Sequence, residues 1–169
     1  MKRAALILAA IATALASPAL ARSSLGVFDD WGAFRDPRLP RCYAISKAER
    51  SDGARDFEPY ATVGTWPNRK IRNQVHLRLS RRLASNGGVT LRVGGESYRL
   101  TAGEADAWAQ DKRMDAAIVA AMRAGSRMSV SATDRGGNRF TEDIHAILEE
   151  STGFATAQAF QSLGPLFAS

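Results

Sequence analysis

Residues 74–83 read QVHLRLSRRL and contain the clearest fold signal in the chain. Apolar and polar side chains alternate in it: Val75, Leu77 and Leu79 are separated by His76, Arg78 and Ser80. A period of two predicts a half-buried β-strand with one face in water, because successive side chains of a strand point to opposite sides. This stretch therefore favours a sheet that covers a core with one face.

The residues that follow continue the β pattern. Asn86-Gly87-Gly88 is typical of a turn, and residues 89–93 resume the alternation, so residues 74–83 and 89–93 are predicted to form an antiparallel hairpin. Gly94-Gly95 predicts a second tight turn, followed by a strand over residues 96–101. The three strands would together form a meander.

Further strands are predicted on both sides of this meander. Proline, glycine and polar breaks bound them at residues 41–46, 60–66, 127–133 and 139–147, with a first strand inside the aromatic opening at 25–34. Residues 47–58 are polar and charged, and we expect an exposed loop there.

Two helices are predicted among these strands. Between residues 112 and 124 the apolar spacing changes to three and four, and one side of a helix collects Met114, Ala117, Ile118, Ala121 and Met122. Asp111 is the candidate N-cap and Gly125 the stop. A short C-terminal helix is predicted to follow Thr152, with Phe154, Ala157, Phe160 and Leu163 along it.

The predicted fold class is mainly β. We expect an antiparallel sandwich or partly closed barrel with one helix between strands and a short C-terminal helix. Residues 22–169 amount to one domain of ordinary size, so a single β-rich domain is predicted there.

The first 21 residues predict a secretory signal peptide. Lys2 and Arg3 precede a run over residues 4–15 that is apolar apart from Thr13. Within residues 17–21, small residues occupy the two positions that a signal peptidase reads, which places the cleavage site after Ala21. The run is shorter than the about 20 residues that a membrane span needs. We therefore expect a periplasmic or secreted protein that begins at Arg22 and does not span the membrane after cleavage.

The charge of the remaining chain is mildly basic. Because Lys2 and Arg3 are two of the 23 basic residues, 21 basic residues remain against 17 acidic ones, a formal charge of +4. An exported chain rarely meets nucleic acid, so no nucleic-acid partner is expected. Lipid headgroups and cell-wall polymers are the candidate anionic partners, and a solvated basic face is the alternative.

The densest positive stretch supplies the candidate binding residues. Trp66 precedes it, and it contains Arg69, Lys70, Arg72, Arg78, Arg81 and Arg82. A basic strand face beside an aromatic ring can bind an anionic polymer by charge and stacking, for which Trp66, Arg69, Lys70, Arg72 and Arg78 are the candidates. The alternative, which we favour from the sequence, is that these charges keep a sheet edge soluble and unpaired.

No catalytic residue, metal site or cofactor is predicted. The two histidines, His76 and His145, lack the spacing of metal ligands, and no serine lies in a G-x-S-x-G motif. His76 is expected to be solvated. Cys42 is the sole cysteine in the sequence. We favour a buried side chain that packs as an apolar residue; the alternative is a disulfide with a cysteine of another molecule.

Several segments occur in a recognisable order. MDAAIVAAMRAG at residues 114–125 is followed by RMSVSA at 127–132 and GFATA at 153–157, and VFDDW at 27–31 precedes RCYAI at 41–45. This succession resembles the invasion-associated locus B family of small exported bacterial proteins. The resemblance implies a bacterial envelope protein, associated in some pathogens with entry into host cells. It supplies no catalytic or ligand residues, and family members commonly carry more cysteines than Cys42 alone.

Two functional hypotheses follow. The first is an envelope protein that binds a protein or an anionic envelope or host component without chemistry of its own. The alternative is a secreted hydrolase or hydrolase inhibitor of unrecognised type. An accessible His76 or Cys42 in a deep pocket beside a hydrogen-bonded acid would favour the enzyme, whereas a shallow polar face would favour binding.

Overall fold

The computed structural model describes residues 22–36, 38–49, 53–125 and 127–145. Antiparallel strands dominate these ranges, which confirms the predicted mainly β fold. The strands are β1 (Ser23–Phe28), β2 (Trp31–Asp36), β3 (Arg41–Lys47), β4 (Tyr60–Trp66), β5 (Ile71–Arg78), β6 (Val89–Val93), β7 (Glu96–Ala102), β8 (Asp106–Trp108), β9 (Arg127–Thr133) and β10 (Arg139–His145). The helix predicted between strands is present as α1 (Lys112–Ala124), and a 3-10 turn follows β4 at Pro67–Arg69.

The strands form one sheet in the order β1-β2-β3-β4-β5-β8-β7-β6-β9-β10. β7 changes its pairing partner along its length: residues 96–100 pair with β6, whereas Thr101 and Ala102 pair with β8. Strand pairing does not close the sheet within the described ranges. Instead, Trp31 Nε1 donates to the carbonyl oxygen of His145 at 2.9 Å, so a side chain near one end of the sheet contacts the strand at the other end.

Inward-facing residues of strands β2 to β10 form one apolar core. On β5, Val75 and Leu77 are buried while His76 between them faces outward, as the alternation predicts. Leu91 of β6 and Val130 of β9 are fully buried in the same cluster. Burial of such side chains stabilises the fold by about 25 cal/mol per Å² of apolar surface.

Helix α1 covers part of this core. Its buried apolar side chains are Ile118, Val119 and Met122. Asp111 is the N-cap as predicted, since its Oδ1 accepts a hydrogen bond from the Met114 N–H at 2.8 Å. Ala117, predicted on the buried side, is exposed, and the polar Asp115 is buried there.

The predicted hairpin between residues 74–83 and 89–93 is wrong. β5 ends at Arg78 and pairs with β4 and β8, whereas β6 pairs with β7 and β9. Residues 79–88 are too long a connection for a two-residue hairpin turn. Leu79 and Leu83 instead donate backbone hydrogen bonds to Ala105 and Glu104, and these bonds take the chain away from β5. The β6–β7 hairpin is confirmed.

The aromatic opening contains two strands rather than one. β1 and β2 form a hairpin that turns at Asp29-Asp30, and Asp29 has a φ of 47°. The three-residue strand β8 had no sequence prediction at all, because such a short segment shows no period.

Several predictions lie outside the described residues. These are the signal peptide at 1–21, the end of the last strand at 146–147 and the C-terminal helix after Thr152. In the described part of the chain, no helix is long and apolar enough to cross a membrane.

Candidate ligand-binding groove

The outer face of β3, β4, β5 and β8 carries a ring on every strand. These rings belong to Tyr43, Tyr60, Trp66, His76 and Trp108. The strand register brings them together, because Thr62 lies opposite His76 on one side, and His76 lies opposite Trp108 on the other. The apolar side chains that alternate with these rings along the strands face the core, so the rings lie on the solvent side.

The rings contact one another as well as solvent. His76 and Trp108 are stacked with their centroids 5.3 Å apart, and Tyr60 meets the edge of His76 at 5.8 Å. These distances are typical of stabilising aromatic pairs, which add about 0.5–1.5 kcal/mol beyond the area that they bury. Three of the five rings, those of Tyr60, His76 and Trp108, are therefore held in place before any ligand arrives.

A cavity of about 430 Å³ lies on this face, within the size range of small-molecule sites. We call it the groove; it is lined by Arg22, Arg41, Tyr43, Ile45, Tyr60, Thr62, Trp66, Gln74, His76 and Trp108. Gly64 of β4 leaves space for the ring of Trp66, which forms one wall of the groove. A Cβ atom on Gly64 would lie 2.6 Å from the Trp66 ring, so only glycine lets that ring fold back over the strand.

One end of the groove is cationic. Asp36 lies beside three guanidinium groups, at 3.4 Å from Arg22, 3.9 Å from Arg38 and 4.0 Å from Arg41. One carboxylate cannot balance three cations, so this end keeps an excess of positive charge. Arg41 also lies over the Tyr43 ring at 4.6 Å from its centroid, which orients a guanidinium at the wall of the groove.

Asp36 is the fixed point of this cationic end. Its side chain is only 1% exposed, and its Oδ1 accepts backbone hydrogen bonds from Arg38 and Leu39. Burial raises the pKa of the carboxyl group, but these two N–H donors and the charges of Arg38 and Arg22 outweigh burial, so the pKa lies below its usual value. Asp36 is therefore ionised at neutral pH and holds the arginines in place.

The other end of the groove contains a histidine with an acid beside it. His76 Nε2 lies 2.9 Å from Asp106 Oδ1, and Asp106 also pairs with Arg78. Because a carboxylate only accepts, Nε2 carries the shared proton. The Thr62 hydroxyl lies 3.5 Å from Nδ1 and equally far from the carbonyl oxygen of His76. His76 therefore has an acid partner and is 21% exposed, so it is only partly solvated, whereas a solvated histidine was expected.

The predicted binding residues do not form one site. Trp66 lines the groove, and Arg78 lies on the same outer face, where it pairs with Asp106 and sits 4.1 Å above the Phe57 ring. Arg69 and Lys70 are exposed on the turn after β4, and Arg72 is exposed at the start of β5. Only Trp66 of the five is a groove residue.

The alternative interpretation of the basic stretch, as the protection of a sheet edge, stays a prediction. β8 pairs with β5 only at residues 76–78, and the earlier part of β5, which contains Arg72, has β4 as its one strand neighbour among the described residues. Arg81 and Arg82, which follow β5, form ion pairs with Asp134 and Glu104. Three of the six basic residues of this stretch, Arg78, Arg81 and Arg82, are therefore paired with acids from other segments.

Cys42 lies on the core side of β3, behind the groove. Its side chain is 4% exposed, which confirms the predicted burial. Burial raises the pKa of the thiol, against a smaller lowering by Arg35. A thiol of this kind is a poor nucleophile. Among the described residues, no cluster of three metal-ligating side chains is found.

Sequence reasoning missed most of the groove. Arg41 and Tyr43 were read only as part of a strand, and Arg22 only as the first residue after cleavage. Arg41, Tyr43 and Ile45 do alternate with buried Cys42 and Ala44, and this period of two placed them on one outer face. Trp108 carried no signal, because β8 is too short to show a period.

Comparison with known proteins gave no match: no family model, curated protein or solved structure is significantly similar to this chain.

Proposed function

We propose that this chain is an exported bacterial envelope protein of the invasion-associated locus B type, which acts by non-catalytic binding through the groove. The observation that supports binding is the ring-lined cavity with an excess of positive charge at one end. Its partner is a protein or an anionic component of the envelope or of a host surface.

The groove has the properties of a preformed binding surface. Ring contacts fix Tyr60, His76 and Trp108, and Asp36 pairs with the arginines, which reduces the conformational entropy lost when a ligand binds. Trp66 and Trp108 remain partly exposed, and a ligand that covers them removes apolar surface from water. Placement outside the cytoplasm is supported by the pattern of residues 1–21.

A binding experiment with envelope fractions tests this proposal. Purified protein is incubated with membrane, cell-wall and soluble envelope fractions of the source cells, and retained material is quantified. The double variant Arg41→Gln/Trp66→Leu alters the groove, and Arg92→Gln removes an exposed arginine from β6 as the matched control. We expect the wild type and Arg92→Gln to retain the same component and the double variant to lose it. Equal retention by all three proteins, or retention by none, would contradict the proposal.

One arrangement supports a second candidate function, a secreted hydrolase. His76 lies between the Thr62 hydroxyl and the Asp106 carboxylate, the order of groups in a nucleophile–base–acid site. Against it, the Thr62 hydroxyl is 3.5 Å from Nδ1 and equally far from the carbonyl oxygen of His76, and Arg78 already neutralises Asp106. Ester and glycoside hydrolysis assays on the wild type and Thr62→Val decide the matter: turnover that Thr62→Val abolishes would replace binding with catalysis.

A further inference from the structure

We propose that the ligand of the groove is an acidic saccharide, in which sugar rings lie against Trp66 and Trp108 and a carboxylate pairs with Arg41. This inference rests on the proposed function and adds the chemical class of the ligand. Four features of the groove lead to it: its charge, its neutral polar groups, its length and its position on the sheet.

The charge of the groove selects an anion at one end only. Arg22, Arg38 and Arg41 surround the single carboxylate of Asp36. Arg41 is the most distant of the three, and its Nε is a buried donor without a hydrogen-bond partner in the described part of the chain. The Arg41 side chain as a whole is 26% exposed, so a ligand carboxylate at the accessible part of this guanidinium gains a charge-assisted hydrogen bond.

The neutral polar groups beside the rings suit hydroxyl groups. The amide of Gln74 and the hydroxyl of Thr62 line the groove between its cationic end and Trp108. A sugar ring presents apolar C–H faces and polar hydroxyls at its rim, so it matches a surface of exposed aromatic faces with neutral donors and acceptors beside them. A simple anion would use the arginines alone.

The length of the groove fits more than one sugar ring. Arg41 and Trp66 each adjoin the Cys42–Thr65 pair of β3 and β4 and line the groove there. Four residues from Arg41 along β3, the row of Ile45, Thr62 and His76 leads to Trp108. Four residues of a strand span about 13 Å. The cationic end and the Trp108 end therefore recognise different parts of an extended ligand.

The position on the sheet argues against an acidic peptide. Extended peptides are commonly bound by main-chain hydrogen bonds to a free sheet edge. The groove lies on the face of β4 and β5; β3 pairs with β4 over residues 60–65, and β8 pairs with β5 at residues 76–78, beside Trp108. Side chains must therefore provide the recognition, and rings with neutral polar groups are suited to sugars rather than to a peptide backbone.

Calorimetric titration of the purified protein tests the inference. The probes are tetragalacturonate and a hyaluronan tetrasaccharide as acidic saccharides, fully methyl-esterified tetragalacturonate as the neutral match, and tetraglutamate as the acidic peptide. We expect at least one acidic saccharide to bind about tenfold more tightly than the methyl ester and the peptide. Binding should weaken when salt is raised from about 50 to about 500 mM, because the carboxylate contact is screened.

Substitutions of groove residues test whether the saccharide binds in the groove. Arg41→Gln and Trp66→Leu are each expected to weaken the acidic saccharide about tenfold or more, while Arg92→Gln leaves its affinity unchanged. Thermal unfolding of each variant shows whether it is folded; if a groove variant is not, the salt series and the methyl ester on the wild type decide alone. Equal binding of acid and ester, tighter binding of tetraglutamate, or no binding of either acidic saccharide would overturn the inference.

The two proposals fail in different ways. If the acidic saccharides do not bind but Arg41→Gln/Trp66→Leu still loses the retained envelope component, the groove is a binding site for another class of ligand. If the envelope component is retained equally by wild type and double variant, the proposed function itself is wrong.

Discussion

The carboxylate of Asp115 on α1 accepts a hydrogen bond from the backbone N–H of Val75 on β5 at 2.8 Å, and both residues are buried. A helix side chain therefore satisfies a strand amide inside the protein. Burial raises the pKa of Asp115, whereas the Val75 N–H lowers it by a smaller amount. This contact fixes the helix against the strand whose outer face contributes His76 to the groove.

Asp115→Ala is expected to lower the free energy of unfolding by about 1–3 kcal/mol, because it leaves the Val75 N–H buried without a partner. Asp115→Asn keeps an acceptor oxygen and should cost less. Urea unfolding at neutral pH measures both variants, with exposed Arg113→Ala as the control on the same helix. Equal losses for the alanine and asparagine variants would show that the charge, not the hydrogen bond, stabilises the contact.

Removal of the helix cap has a smaller effect. Asp111→Ala should lower the free energy of unfolding by about 1 kcal/mol, because the Met114 N–H loses its acceptor. Asp111→Ser retains a capping oxygen and is expected to stay near the wild type in the same urea experiment. A serine variant as unstable as the alanine variant would contradict the capping role.

Glu142 makes stability depend on pH in the opposite sense to most acids. It is fully buried, and burial raises its pKa above 4.5 despite hydrogen bonds from Ser80 and the charges of Arg55 and Arg81. The folded protein then holds this proton more tightly than the unfolded chain, so the contribution of Glu142 to stability falls as pH rises from 4.5 through the folded pKa.

Glu142→Gln removes this ionisation and should raise the melting temperature at pH 7. The gain should disappear below about pH 4, where Glu142 is protonated in both states. Thermal unfolding of both proteins across this pH range is the measurement. A gain that is constant with pH would mean that packing, not titration, causes it.

Asp36→Asn should change stability and ligand binding in opposite directions. The pKa of Asp36 is below its usual value, so its carboxylate stabilises the fold above pH 3.8 and this contribution is lost as pH falls through the folded pKa. The variant should therefore melt at a lower temperature than the wild type at pH 7 and approach it in strong acid. Because Arg22 and Arg41 lose their counter-ion, tetragalacturonate should bind more tightly to the variant. Weaker binding would show that the positioning of the arginines by Asp36 matters more for affinity than the positive charge that the variant gains.

The strands that the sequence predicted well are those with complete local patterns. Tyr60–Trp66, Val89–Val93 and Arg127–Thr133 have the predicted bounds, because alternation and turn residues define both of their ends. Pairing is different: β6 follows β5 in the chain, but β8 takes the place beside β5. Local periodicity contains no information about which strand becomes the neighbour.

The groove was unpredictable for the same reason. Arg41 and Trp66 are 25 positions apart in the chain and become neighbours only through the register of β3 and β4. The basic stretch drew attention because its charges are adjacent in sequence. Their partners, Asp106, Asp134 and Glu104, come from distant segments and cancel much of that charge.

The position of Cys42 makes it an internal reporter for the sheet. Its thiol lies on the protected side of β3, directly between Arg41 and Tyr43, whose side chains form part of the groove. A thiol-specific dye should therefore label the native protein only when the strands separate. Labelling rates would then measure how often this part of the sheet opens, and a ligand that clamps the groove from outside should slow them without touching the sulfur atom.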